Sequence, residues 1–138
     1  MLIKAISVRQ PWANAILLGK DVENRSRYYK HRGLLLIHAS KQVDRDALQD
    51  PRILRLPIND LILGHLIGVV NLVDCVPLSR SRWADPESNW KLILEDPRPL
   101  LHPVPYLGQL SLFSVDEKLL RDVLPAGFEE DARAGMLF

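Results

Sequence analysis

The longest strand signal in the chain, His65-Leu66-Ile67-Gly68-Val69-Val70-Asn71-Leu72-Val73-Asp74-Cys75-Val76, constrains the fold more than any other stretch. A run so rich in Val, Ile and Leu suits a pleated, half-buried surface and reads as one long strand. Gly68 inside it predicts a bulge or bend, as a small barrel needs at its corners. Asn71 is an amide set among Val and Leu. Buried and unpaired it would cost on the order of 1–3 kcal/mol, so it should have a partner or a ligand. Asp74 falls on the opposite face and reads more simply as an acid near the strand end.

Five further strand signals accompany that run: Leu2–Val8, Val22–Ser26, Leu34–Ser40, Trp90–Glu95 and Gly108–Val115. Leu34 to Ile37 is unbroken apolar sequence, as in a central strand buried on both faces. Trp90-Lys91-Leu92-Ile93-Leu94-Glu95 alternates, with Trp90, Leu92 and Leu94 inward and Lys91 and Glu95 on the other side. Prolines at 97, 99, 103 and 105 make Asp96–Tyr106 extended and stiff. Helical signals are short: Pro11–Leu18, a turn or two over Asp44–Asp50, and Pro57–Leu63 with Gly64 after it. A fourth helix is predicted from the capping-box spacing of Ser114 and Glu117 through Leu124, burying Leu119, Leu120 and Val123. Six strands and short flanking helices predict a mainly β, α+β fold, a small closed or nearly closed barrel.

A chain of 138 residues suits one domain with a real core. That domain is expected over 1–125, followed by a tail over 126–138 whose Phe128, Met136, Leu137 and Phe138 either dock on the body or fray. Cys75 is the single cysteine, which excludes an internal disulfide framework and a cysteine-rich metal site and fits a reducing, cytoplasmic setting. No leader and no apolar run of about 18 residues is present, so neither secretion nor a membrane helix is expected. Glycine-rich phosphate loops, metal-ligand spacings and a Gly-x-Ser-x-Gly elbow are absent, so no cofactor and no metal are expected.

The net charge of +1 hides an asymmetry: residues 1–41 carry eight Lys or Arg against Asp21 and Glu23, and the remainder is acidic. A basic patch on a neutral domain suits an anionic partner. Its densest part surrounds the first helix. Pro11 suits a first helical position and Gly19 the left-handed position after the end. Arg9 and Gln10 precede this helix, Lys20 follows it, and a period of two puts Glu23 and Arg25 on one side of the next strand. Polar groups thus collect at both ends of one small element. Arg9 and Arg25 offer planar forks for phosphate, and Gln10 an amide for a base edge. Trp12 either stacks on a base or packs in the core with Ala15 and Ile16. A lysine beside Glu23 keeps its charge and serves as a clamp; a plain structural ion pair is the alternative. His38 is a proton-transfer group, a base-reading donor, or a histidine that hydrogen-bonds a neighbour at a strand end. The segment Arg27–Gly33 either contacts nucleic acid or is a surface loop anchored by two tyrosines.

The run Ser7-Val8-Arg9-Gln10-Pro11-Trp12-Ala13, with Ile16, Gly19-Lys20, Glu23 and Arg25, resembles the signature of the ASCH domain family, in the PUA-like group of barrels. Weaker resemblance continues through Ile37-His38-Ala39-Ser40, Gly64, Gly68-Val69-Val70, Val73-Asp74-Cys75, Trp90 and Pro105-Tyr106, covering about residues 3–115. The resemblance implies a PUA-like barrel with a cleft beside its first helix that binds RNA or a nucleotide-like ligand. Ser7, Arg9, Gln10, Trp12, Arg25, His38 and Asn71 are the candidate ligand-binding residues. Some small family members hydrolyse the acetyl amide of an acetylated cytidine with a lysine, a threonine and a later glutamate. Here Lys20 matches the lysine, Glu23 stands in the threonine's place, and the later region offers Asn71 and Asp74. Lys20 and Glu23 are therefore the candidate catalytic residues of a modified-nucleoside hydrolase, and another family member suggests a ribonuclease. A protein–protein adaptor, prompted by the proline-rich segment and the apolar tail, is the third reading.

Overall fold

The computed structural model describes residues 1–125; the predicted tail at 126–138 lies outside them. Six strands form one mixed sheet: β1 (Leu2–Gln10), β2 (Val22–Arg25), β3 (Gly33–Val43), β4 (His65–Val76), β5 (Trp90–Pro105) and β6 (Leu112–Asp116). Their order is β2-β5-β4-β3-β1-β6. β1 and β3 run parallel and the other neighbours antiparallel, in a barrel-like sheet that is not strictly closed. The parallel pair follows from the crossover through α1 (Trp12–Leu17) and β2. Among the described residues no helix is long and apolar enough to cross a membrane.

Both faces of the central strands are buried, as the unbroken Leu34–Ile37 run predicts. Ile6, Val8, Leu35, Ile37, Val70 and Leu72 pack with Ala13 and Ile16 of α1 on one face. Ile3, Ala5, Leu36, Leu66, Val69, Phe113 and Leu120 form the other core. Gly68 marks an irregularity in both of its pairings, where β4 slips against β3 and β5. A Cβ there would fall 2.4 Å from the Leu17 side chain and 3.0 Å from the Arg98 carbonyl, so glycine is what lets α1 lie against the sheet.

Several expectations need correction. The proline-bearing stretch is extended as expected, but it continues β5, which does not end at Glu95; the strand pairs with β4 across a shift in register beside Asp96, at φ 52. No helix forms over Pro57–Leu63; α2 lies earlier (Pro51–Leu54), because Asp50 caps the Arg52 amide and Pro51 takes the first turn. Pro11 stands just before α1, after a cis Gln10–Pro11 bond, rather than in its first position, whereas Gly19 takes the expected left-handed turn at φ 117. The last strand begins at Leu112, not Gly108. Ser114 lies within it and accepts from Lys4, while Asp116 caps a short 3₁₀ turn over Glu117–Leu120 that buries Leu120 and leaves Leu119 exposed. Lys91 is buried rather than outward: the loop before β5 folds back, and the ammonium donates to the Ser88 carbonyl at 2.5 Å.

Candidate functional site

A cleft of about 1130 Å³ opens beside α1, lined from the ends of β1 and β3, the turn after α1, β2, and the loops around Trp83 and Tyr106. Its charged floor is a three-residue cluster. The tight turn at Gly19 lets the Lys20 amide return to the Ala15 carbonyl at 2.9 Å, which aims the side chain inward. Lys20 Nζ donates to the Val22 carbonyl at 2.5 Å and to Glu23 Oε1 at 3.1 Å. Arg25 Nε donates to Glu23 Oε2 at 3.0 Å, and its Nη2 reaches the Ser7 carbonyl at 2.7 Å. Burial alone would push the Glu23 carboxyl up; the charges of Lys20 and Arg25 outweigh it and hold the carboxyl below its ordinary value. Glu23 is thus an ionised carboxylate with both oxygens engaged.

One wall is aromatic. Trp12 and Trp83 meet edge to face with centroids 6.5 Å apart. Lys20 Nζ lies 5.5 Å from the Trp12 ring, and the Arg52 guanidinium 4.9 Å from that of Trp83. Asp44, just past β3, accepts from Trp12 Nε1 at 3.0 Å, and this bond holds its carboxyl below the usual range. Asp50 is held low in the same way by Arg52, with Nη2 to Oδ2 at 2.7 Å.

Another part of the lining carries a hydroxyl–imidazole pair. Ser7 and His38 are register partners on β1 and β3, with Oγ to Nδ1 at 2.7 Å. His38 Nε2 lies 2.7 Å from the Tyr106 carbonyl. Burial pulls the His38 pKa down, the Tyr106 contact opposes that, and His65 adds to it. The net direction is toward the neutral ring.

Of the predicted site residues, Ser7, Arg9, Trp12, Lys20, Glu23, Arg25 and His38 all line this cleft. Gln10 and Asn71 do not. Gln10 is fully buried beneath it, donating from Nε2 to Asn14 Oδ1 and the Ile62 carbonyl and accepting the Asn14 amide. Its amide secures α1 to the 60–63 segment and offers nothing to a base. Asn71 is half-exposed on β4 between Leu34 and Glu95, because the strand's alternation turns it away from Val70 and Leu72. The Arg27–Gly33 loop stands apart from the cleft: Tyr29 is buried in the core, and Tyr28 packs on Trp90 at 5.1 Å. Trp83, Asp44, Arg52 and Lys41 line the cleft without having been expected. A lone tryptophan in the otherwise polar 79–89 loop was the one available signal. Among the described residues no three His, Cys, Asp or Glu side chains gather as a metal site requires.

Comparison with known proteins identifies the family and the fold. The family model described as "ASCH domain" matches residues 6–120. The human protein named activating signal cointegrator 1 is 32% identical over 131 residues, covering 83% of this chain, and the mouse protein of that name is 31% identical with the same coverage. The chain spans about 22% of the length of these relatives. The crystal structure titled as ASCH from Zymomonas mobilis superposes with a TM-score of 0.53 at 18% identity, covering 86% of this chain and 91% of that one. A mutant of that protein gives 0.52 at 19%. At such identity the likeness concerns the fold.

Proposed function

The chain belongs to the ASCH domain family, and from that premise we propose that its cleft binds RNA or a nucleotide-like ligand. The observation that carries the reading is convergence: Arg9, Lys20 and Arg25, from three separate elements, line one concavity beside the Trp12 ring. Cations brought together around a hollow create a positive potential that attracts phosphate, and an indole at the wall supplies a stacking face. Two of the three are already tied to Glu23, so they shape the floor. Arg9 and Lys41, both exposed at the rim, remain as the phosphate contacts. A volume of about 1130 Å³ exceeds the ordinary small-ligand pocket of about 300–1,000 Å³ and favours a stretch of single strand over one nucleoside. The name of the human and mouse relatives, activating signal cointegrator 1, says nothing of the ligand.

Titration of a short single-stranded RNA and of free nucleosides at two salt concentrations tests this. RNA should bind more tightly than nucleosides and weaken as salt rises. Affinity for neither, or RNA binding indifferent to salt, would remove the proposal. A cytoplasmic setting belongs to the same proposal.

The modified-nucleoside hydrolase built on Lys20 and Glu23 gains less from the geometry. A base needs a free lone pair and a nucleophilic amine must lose its proton, whereas both Glu23 oxygens accept hydrogen bonds and Lys20 stands against a carboxylate.

A further inference from the structure

We propose that Ser7 is an acyl-transfer nucleophile, with His38 as its base and the Tyr106 carbonyl as the group that orients the ring. This goes beyond the binding reading and does not depend on it.

The argument begins with the proton inventory of the imidazole. A backbone carbonyl only accepts, so the 2.7 Å contact between His38 Nε2 and the Tyr106 oxygen puts a hydrogen on Nε2. The ring is 1% exposed, and its burial favours the neutral form. A neutral ring with hydrogen on Nε2 has a lone pair on Nδ1, so the 2.7 Å contact to Ser7 must be the hydroxyl donating to Nδ1. Hydroxyl, imidazole and orienting acceptor therefore stand in the order that activates a serine, with a carbonyl where other enzymes place a carboxylate.

The surroundings hold this arrangement. Ser7 and His38 are neighbours across a parallel strand pair, and Arg25 anchors the Ser7 carbonyl at 2.7 Å. Phe113 packs edge-on against the imidazole at 5.9 Å and stacks with Tyr106. Gly108 closes over the pair: a Cβ there would lie 2.5 Å from Ser7 Oγ and 2.7 Å from His38 Cε1. Ser7 itself is only half-buried and lines the cleft.

The reaction is a two-step transfer. Ser7 Oγ bonds to the acyl carbon as its proton passes to His38 Nδ1. The carbon–heteroatom bond then breaks, and the leaving amine or alcohol takes that proton. Water attacks the acyl-serine, giving its proton to Nδ1, and Ser7 Oγ departs with it, releasing a carboxylic acid. The substrate class is an ester or activated amide, preferably one carrying a phosphate or carboxylate for the cations of the cleft.

A fluorophosphonate probe, followed by intact mass and peptide mapping, tests the proposal. Ser7 Oγ should displace fluoride and form one adduct, mapped to Ser7 and absent in Ser7→Ala. His38→Gln should slow labelling about 100-fold. Because that change removes a buried ring, Ser7→Cys gives a second reading with His38 retained. Its thiol should react with iodoacetamide about 10-fold faster than glutathione, over a wild-type background set by Cys75. An adduct mapped elsewhere, labelling unchanged in a folded His38→Gln, no adduct at all, or an introduced thiol no faster than glutathione would each overturn the proposal. RNA titration is read separately. Labelling absent with RNA binding intact strikes this inference alone, and the reverse strikes only the binding reading.

Discussion

Lys20 and Glu23 meet at 3.1 Å with side chains 4% and 11% exposed, and Arg25 faces the other carboxylate oxygen at 2.8 Å. A carboxylate this buried persists as a charge only because two cations face it, one on each oxygen. The cluster joins the turn after α1 to β2 and, through the Ser7 carbonyl, to β1.

Removing the carboxylate should therefore destabilise the whole fold. Glu23→Gln leaves a buried ammonium beside an amide, and a loss on the order of 3 kcal/mol is expected, read as a lower urea midpoint at pH 7. A change below about 0.5 kcal/mol would mean the charges are solvated in solution.

Acid should weaken the protein in two stages. His38 has a depressed pKa when folded, so the unfolded chain binds more protons as pH falls below about 6.5, and stability drops. Glu23 is likewise depressed, so its contribution is complete above its ordinary value of 4.5 and is lost as pH falls through the lower folded value. Both slopes have the same sign. Urea midpoints from pH 7.5 to 3.5 should fall throughout, and His38→Gln should flatten only the first stage.

At the rim, Arg9→Ala and Lys41→Ala should each weaken RNA binding to the same degree for every sequence tested. Each should also reduce the slope of log affinity against log salt by about 1, as loss of one phosphate contact does. Equal slopes in wild type and both variants would place the RNA elsewhere.

Gln10→Ala should behave in the opposite manner. It strands the Asn14 amide and the Ile62 carbonyl in a buried site, which costs about 2 kcal/mol, while affinity measured at a temperature where the variant stays folded should be unchanged. A selective loss of affinity would restore the base-reading role expected from sequence.

Glycine substitutions probe the packing that sequence only hinted at. Gly68→Ala forces a methyl against Leu17 and should destabilise by about 1–3 kcal/mol, seen in the thermal midpoint. An unchanged midpoint would show that α1 moves aside freely.

Local signals carried the strands and most of the cleft. Alternation, β-branched runs and the Gly19 turn depend on neighbours within a few residues, which is why β1, α1, β2, β3 and β4 were legible, and with them Arg9, Lys20, Glu23 and Arg25. Chain order also placed these four around one short helix, so their convergence could be expected. The short helix lies at Pro51–Leu54 rather than over Pro57–Leu63, because Asp50 caps the Arg52 amide.

Tertiary structure alone decided which polar side chains face the cavity and which face the core. Gln10 and Arg9 are adjacent in sequence with similar polarity, yet one is sealed under α1 and the other is exposed at the rim. Ser7 and His38 are thirty-one residues apart and became a pair because β1 and β3 lie side by side. Trp83 reached Trp12 because Asn24 ties down the loop that carries it, its Nδ2 donating to the Trp83 carbonyl. Periodicity records where each side chain points relative to its own backbone. Which backbone then covers it is settled by pairings between distant strands, and those carry no local signature in the sequence.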